Sequence, residues 1–179
     1  CVVGSRKYSP YGKSACENLI TGLAGLPVVI VSGLALGIDS VAHRAALGAG
    51  LKTVGVPGSG LDSKVLYPST SRVLADEILR AGGALVSEFE PDFKATKWSF
   101  PQRNRIMAGL SDAVLVVEAE IKSGTLITSR LATDYNRDVF AIPGSIFSST
   151  SEGPHMLIRK GAAAIDSAEA LRIALGFPE

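Results

Sequence analysis

Short apolar runs rich in valine and isoleucine recur along the chain, each followed by a glycine- or serine-bearing turn and then by a longer stretch of helical period. The runs fall at residues 2–3, 28–31, 53–56, 84–86, 113–117 and 139–142, and the helical stretches at 11–23, 40–49, 71–81, 102–108, 126–135 and 168–175. Runs so short and apolar throughout fit strands buried on both faces, and parallel strands of that kind need helical crossovers between them. The pattern predicts an α/β fold, a doubly wound, mostly parallel sheet with right-handed crossovers and helices on both faces. A length of 179 residues accommodates this as a single domain over 1–179, and 46% hydrophobic against 20% charged residues is far too apolar for disorder.

Composition removes several function classes. Lys and Arg number 18 against 17 Asp and Glu, so no global field marks a nucleic-acid or membrane binder and any electrostatic argument is local. Cys1 and Cys16 form no CxxC pair, and with His43 and His155 the only histidines no zinc set can be assembled. No metal or cofactor is expected, and the cysteine usage fits a reduced, cytoplasmic protein. The most apolar stretch, 26–38, is interrupted by Ser32, Gly33 and Gly37 and falls short of the roughly 20 residues a bilayer span needs. No signal peptide or membrane anchor is visible. The chain opens on Cys1 and the Val2-Val3 pair rather than on Met, which reads as a fragment of a longer protein.

In a doubly wound sheet, ligands sit outside the carboxyl ends of the strands. Those junctions here read Gly4-Ser5-Arg6, Ser32-Gly33, Pro57-Gly58-Ser59-Gly60, Ser87-Glu88, Glu118-Ala119 and Pro143-Gly144-Ser145. At any one of them a glycine answers only a backbone demand, but small residues gathered at one rim let backbone N–H groups and helix N-termini approach an anion. Familiar nucleotide motifs do not account for them. Gly12-Lys13-Ser14 resembles the end of a P-loop, yet Gly4 stands seven intervening residues upstream where the motif needs four, so Lys13 reads as a helix-face cation. The Gly58-Ser59-Gly60 turn lacks the third glycine of the dinucleotide fingerprint. There is no GxSxG elbow, and His43, in an alanine-rich helical stretch, reads as a packing or capping residue.

Segment 93–111 carries more information. It holds Lys94, Lys97, Arg103 and Arg105 with no acid, a charge of +4, interleaved with Trp98 and Phe100 in a chain with one tryptophan. Cations that neutralise phosphates beside aromatic faces that stack on unpaired bases suit a single-stranded nucleic acid. A solvated basic loop whose two rings plug the core satisfies the same composition. Pro101 marks entry to a short helix. Arg6, Lys7 and Lys13 precede the first acid, Glu17, and folding can bring the first turn beside Lys97 and Arg103 as one cationic groove. The Ser123-Gly124-Thr125 turn either gives N–H groups and hydroxyls to the same anion or serves as a helix cap through Ser123.

These residues closely resemble the DprA/Smf family of DNA-processing proteins. The resemblance runs essentially end to end and rests on Gly4-Ser5-Arg6, the stretch Ser32-Gly33-Leu34-Ala35-Leu36-Gly37-Ile38-Asp39, and above all the FPQRNRIMAGLS block from Phe100. Ser123-Gly124-Thr125-Leu126-Ile127-Thr128 and Pro143-Gly144-Ser145 follow in order. It implies an extended Rossmann-like domain that binds single-stranded DNA, protects incoming DNA during natural transformation and loads RecA recombinase onto it, with no catalytic residue. The DNA site it implies comprises Gly4, Ser5, Arg6, Lys97, Phe100, Arg103, Asn104, Ser123, Gly124 and Thr125. In it Arg6 and Lys97 engage phosphates, Phe100 packs on sugar or base, and Asn104 bonds the strand or shapes the groove. Arg105 is expected to orient the Glu118 region from inside the fold. Self-association through the carboxyl-terminal part implies a homodimer interface at His155, Leu157 and Ile158.

Two other functions compete. The same superfamily resemblance includes phosphoribohydrolases, which cleave nucleoside monophosphates with a PGGxGTxxE motif whose carboxylate assists glycosidic cleavage. The matching stretch here begins Lys122-Ser123-Gly124-Thr125, but Ile127 and Thr128 stand where carboxylates are needed, leaving Asp39 and Glu118 as substitutes at strand ends. A protein-interaction scaffold would leave the rim cations unused.

Overall fold

The computed structural model describes residues 1–178. The apolar runs become strands β1 (Val2–Val3), β2 (Val29–Ser32), β3 (Lys52–Gly55), β4 (Ala84–Leu85), β5 (Ala113–Val116) and β6 (Asp138–Ala141), joined by a seventh, β7 (Ala163–Ala164). Helices α1 (Pro10–Thr21), α2 (Ile38–Gly48), α3 (Arg72–Arg80), α4 (Ser99–Leu110), α5 (Thr125–Asp134), α6 (Glu152–Arg159) and α7 (Ala168–Ala174) alternate with them. Every ladder is parallel, as expected of strands that must be joined through crossovers.

The sheet is divided where continuity was expected. One ladder runs β2-β3-β4 and the other β1-β5-β6-β7. At the division Ser32 Oγ donates to the Val2 carbonyl at 2.7 Å, a side-chain bond in place of a ladder rung. The division has a local cause: β1 is only two residues long and its backbone partners lie in β5, with Leu115 N–H bonding Cys1 O and Val117 N–H bonding Val3 O.

Period-2 alternation then sorts the side chains. Val2, Ile30, Leu115 and Phe140 pack with α1, α2 and α7 on one face, while Val3, Val31, Val114 and Val116 pack with Met107 and Ala108 of α4 and Ala132 of α5 on the other. A satellite cluster of Leu34, Leu66, Leu74, Ala75 and Ile78 seats α3. Burial on both faces holds for β5 and fails toward the margins, where Val29 is 50% exposed, β4 is half-buried and β7 is exposed. The alanines of β7 gave no strand signal; their register against Phe140 and Ala141 makes them one. Pro101 does not mark the start of a short helix: α4 begins at Ser99, which leaves the proline in the first turn, where its missing N–H costs nothing.

His43 is a packing residue. Its Nδ1 lies 2.7 Å from Thr53 Oγ1 in the core, and burial drives its pKa from 6.5 down to about 3. An unfolded chain binds a proton there below about pH 6.5 that the folded chain refuses, so His43 supports stability in full above that pH and progressively less below it. Against a His43→Leu variant, wild-type stability is expected to fall by about 1.4 kcal/mol per pH unit below about pH 6. Urea titrations of both proteins at a series of pH values check this, and a constant difference would contradict it. Cys16 is likewise inert, its thiol pushed up to about 12 first by burial and then by Asp39 and Glu17.

Candidate nucleic-acid interface

All strands of the sheet point their carboxyl ends at one rim, where a cleft of about 500 Å³ opens. One wall is the β1–α1 turn with Gly4, Ser5, Arg6 and Lys7. The second is the amino-terminal half of α4 with Phe100, Arg103 and Asn104, and the third is the β5–α5 turn with Lys122, Ser123, Gly124 and Thr125. Nine of the ten residues expected in the DNA site therefore line one cleft. Lys97 does not; it is exposed and lies before the start of α4. The exposed cations that line the cleft are Arg6, Lys7 and Lys122.

The first wall is locked from below. Ile38 N–H donates to Ser5 O at 3.1 Å, and Lys7 N–H donates to Ser5 Oγ at 3.0 Å. Gly37 sits at φ +90°, where a side chain is strained, and an added Cβ would lie 2.5 Å from Arg6 Cα. That interlock holds the Arg6 backbone while its guanidinium stays exposed, 5.3 Å above the centre of the Phe100 ring. Phe100 is seated on Gly58, whose Cβ would fall 2.6 Å from ring atom Cδ1, and Tyr67 packs on it with centroids 5.6 Å apart. The Pro57-Gly58-Ser59-Gly60 junction thus supports a ring rather than cradling a phosphate.

Arg103 has a different position from the one expected. It is 5% exposed, with its guanidinium turned inward: Nη1 donates to Gly33 O at 2.6 Å and in a short bond to Val56 O, and Nε donates to Asn104 Oδ1 at 3.2 Å. It ties the carboxyl ends of β2 and β3 to α4. Burial lowers its pKa to about 10 although Asp39 pulls upward, and burial raises Asp39 to about 6 although Arg103 pulls it down. Asp39 also accepts from Gly33 N–H at 3.1 Å.

At the third wall the N-cap of α5 is Gly124, with no side-chain cap bond, so Ser123 is not the cap; its Oγ accepts from Thr125 N–H at 3.1 Å in a local turn, Gly124 leaves open space, and the positive end of the α5 dipole reaches the cleft. The sequence marks Lys122 only as part of a phosphate-turn motif. Its participation depends on how the β5–α5 turn is aimed, which residue spacing does not encode.

Glu118 lies outside the cleft lining. Its carboxylate accepts from Ser9 N–H at 2.9 Å, Ser9 Oγ at 2.5 Å and Thr150 Oγ1 at 3.1 Å, bracing the amino end of α1. This explains Gly12, because a Cβ there would collide with that carboxylate. Arg105 is exposed and pairs with Glu88, so the expectation that it orients Glu118 from inside the fold is corrected: its helix position points it to solvent. The carboxylates lining the cleft are the hydrogen-bonded Asp39 and the exposed Glu120.

His155, Leu157 and Ile158 lie on α6 and do not line this cleft. Leu157 lines a groove of about 930 Å³ with Leu126, Leu131, Val139 and Met156 that adjoins the cleft across the shared Lys122-Ser123-Gly124 turn, whereas His155 Nε2 turns back to Gly144, 3.0 Å from its carbonyl oxygen. Ile158 is half-buried. No helix among the described residues is long and apolar enough to cross a membrane.

Comparison with known proteins agrees with this geometry. The family model for DNA recombination-mediator protein A matches residues 1–176. Protein Smf of Escherichia coli is 47% identical over 176 residues, 98% of this chain and 46% of that protein. The structure of DNA processing protein A from Streptococcus pneumoniae superposes with a TM-score of 0.88 at 47% identity, covering 97% of this chain and 59% of the other. The Helicobacter pylori protein, whose structure is described for its unique single-stranded DNA binding mode, superposes with a TM-score of 0.87 at 35% identity, covering 97% and 78%. The chain spans about half the length of the curated relatives it matches, 46% in one case and 58% in another. A family match over residues 1–176, with 47% identity to a relative across 98% of the chain, means that the chain belongs to the DNA recombination-mediator protein A family.

Proposed function

We propose that this chain is the single-stranded DNA-binding core of a recombination mediator that protects incoming DNA in natural transformation and loads RecA onto it, acting in the cytoplasm as a homodimer. The observation that carries the reading is the pairing of an exposed Arg6 guanidinium with the Phe100 ring at the mouth of a cleft flanked by Lys7 and Lys122. Such a site offers charge to phosphates and an aromatic face to an unpaired base, which duplex stacking would hide. Kinship with the Helicobacter pylori protein supports the same ligand. Arg103 and Asn104 serve it by holding α4 against the strand ends.

The apolar groove beside Leu157 supports self-association, and pairing two chains there would place two DNA sites on one particle and raise avidity without new contacts. With Arg6, Lys7 and Lys122 each neutralising one phosphate, log Kobs for oligothymidylate is expected to fall with log salt at a slope of about −2, from roughly −0.7 per phosphate. Gel shifts of single-stranded and duplex oligonucleotides across a salt series test both points. A flat slope, or equal affinity for duplex, would overturn the reading.

A further inference from the structure

Trp98 is 55% exposed, and among the described residues its indole N–H makes no hydrogen bond to protein. A ring that served only to plug the core would show neither property. The ring is nonetheless held in place by two others. Phe89 and Phe93 stack on each other with centroids 4.5 Å apart at 13°, and Trp98 stands against both, at 6.1 Å and 74° to the first and 5.7 Å and 64° to the second.

The loop beneath is pinned to its neighbour, since Gly60 N–H donates to Phe93 O at 2.9 Å and Asp62 N–H to Pro91 O at 2.8 Å. Ser99 Oγ, next in sequence to Trp98, donates to Gly58 O at 2.6 Å, the same residue that seats Phe100. Trp98 and Phe100 are thus set on one support, two residues apart, and their Cα atoms are separated by at most about 7 Å. Exposed Lys94 and Lys97 form no salt bridge among the described residues, but Glu90 and Asp92 cancel their charge along the loop. What this surface has to offer is therefore an aromatic face, not a field.

We propose that Trp98 is a second base-stacking platform, which takes a nucleobase of the bound strand where it leaves the cleft past Lys97. The inference rests on the single-stranded DNA reading above. A ring already ordered by two others loses little freedom when a base stacks on it, which is what makes an exposed aromatic an effective contact.

Trp98 is the sole tryptophan, so the unmodified protein reports on the contact directly. Titration with end-labelled oligothymidylate, following label anisotropy and tryptophan emission together, is expected to show emission quenching that saturates with binding. Trp98→Ala is expected to weaken binding by about tenfold, and Trp98→Phe to recover most of the loss. If the wild type binds the strand while its emission stays unchanged and Trp98→Ala binds as tightly, Trp98 is no platform and the cleft reading survives. If the wild type binds no strand at all, both fail. Quenching by duplex equal to that by single strand would also overturn the proposal, since paired bases cannot stack on the ring.

Discussion

Replacing Arg103 with alanine is expected to destabilise the fold by about 3 kcal/mol, since several buried acceptors are left at once without their donor. The reason is what the side chain leaves behind. The Gly33 and Val56 carbonyls would lose their guanidinium donor, Asn104 Oδ1 would lose its bond, and Asp39 would remain buried with no counter-charge beside it. Gly33 shows how closely the group is fitted, because a Cβ there would sit 2.5 Å from Arg103 Nη1 and 2.6 Å from Asp39 Oδ2. Urea denaturation should show a lower midpoint at unchanged slope, and Arg103→Lys should also fall below wild type, since a point-charge ammonium cannot reproduce a planar fork of donors. A midpoint within about 1 kcal/mol of wild type in Arg103→Ala would contradict this role. Loss of DNA binding in an Arg103 variant would accordingly report lost structure rather than a lost phosphate contact.

Arg6→Glu is expected to do the reverse, abolishing most single-strand affinity while leaving the urea midpoint within about 0.5 kcal/mol of wild type. Arg6 is exposed, and its guanidinium is tied to the protein chiefly through the Phe100 face. Removing a charge-assisted phosphate contact and placing an anion at the cleft mouth should together cost about 3 kcal/mol, roughly a hundredfold in Kd. The salt slope should also become shallower by about 0.7. Fluorescence anisotropy with oligothymidylate at several salt concentrations, beside a denaturation curve, measures all three quantities. Unchanged affinity in Arg6→Glu would remove Arg6 from the interface, and with it the observation on which the functional proposal stands.

Arg103 and Arg6 show why residue type alone misplaces a role. Both are arginines in motifs of the same family, both border one cleft, and each lies against the Phe100 ring, at 6.0 and 5.3 Å. One is buried on strand-end carbonyls and the other stands in solvent. Burial is set by what packs on a residue from distant segments, here Gly33 and Val56 just past the ends of β2 and β3, so nothing within the FPQRNRI block distinguishes a binding guanidinium from a structural one. Glu118 repeats the lesson. It stands at a strand end where a catalytic carboxylate would be sought, and its partners Ser9 and Thr150 come from either side of it in sequence.

The order of strands and helices was legible in the chain because it follows from local periodicity: valine- and isoleucine-rich runs too short for helices, glycine at the turns, and helical stretches long enough to cross back over a sheet. The motifs that place Gly4, Ser5, Arg6, Phe100 and the Ser123-Gly124-Thr125 turn at the strand ends were legible for the same reason. Only the folded molecule decided the break between β1 and β2, the strand made by Ala163 and Ala164, the absence of Lys97 from the cleft and the entry of Lys122. Each of these depends on the register and direction in which segments far apart in sequence meet, and those are fixed by long-range packing rather than by the preferences of any one segment.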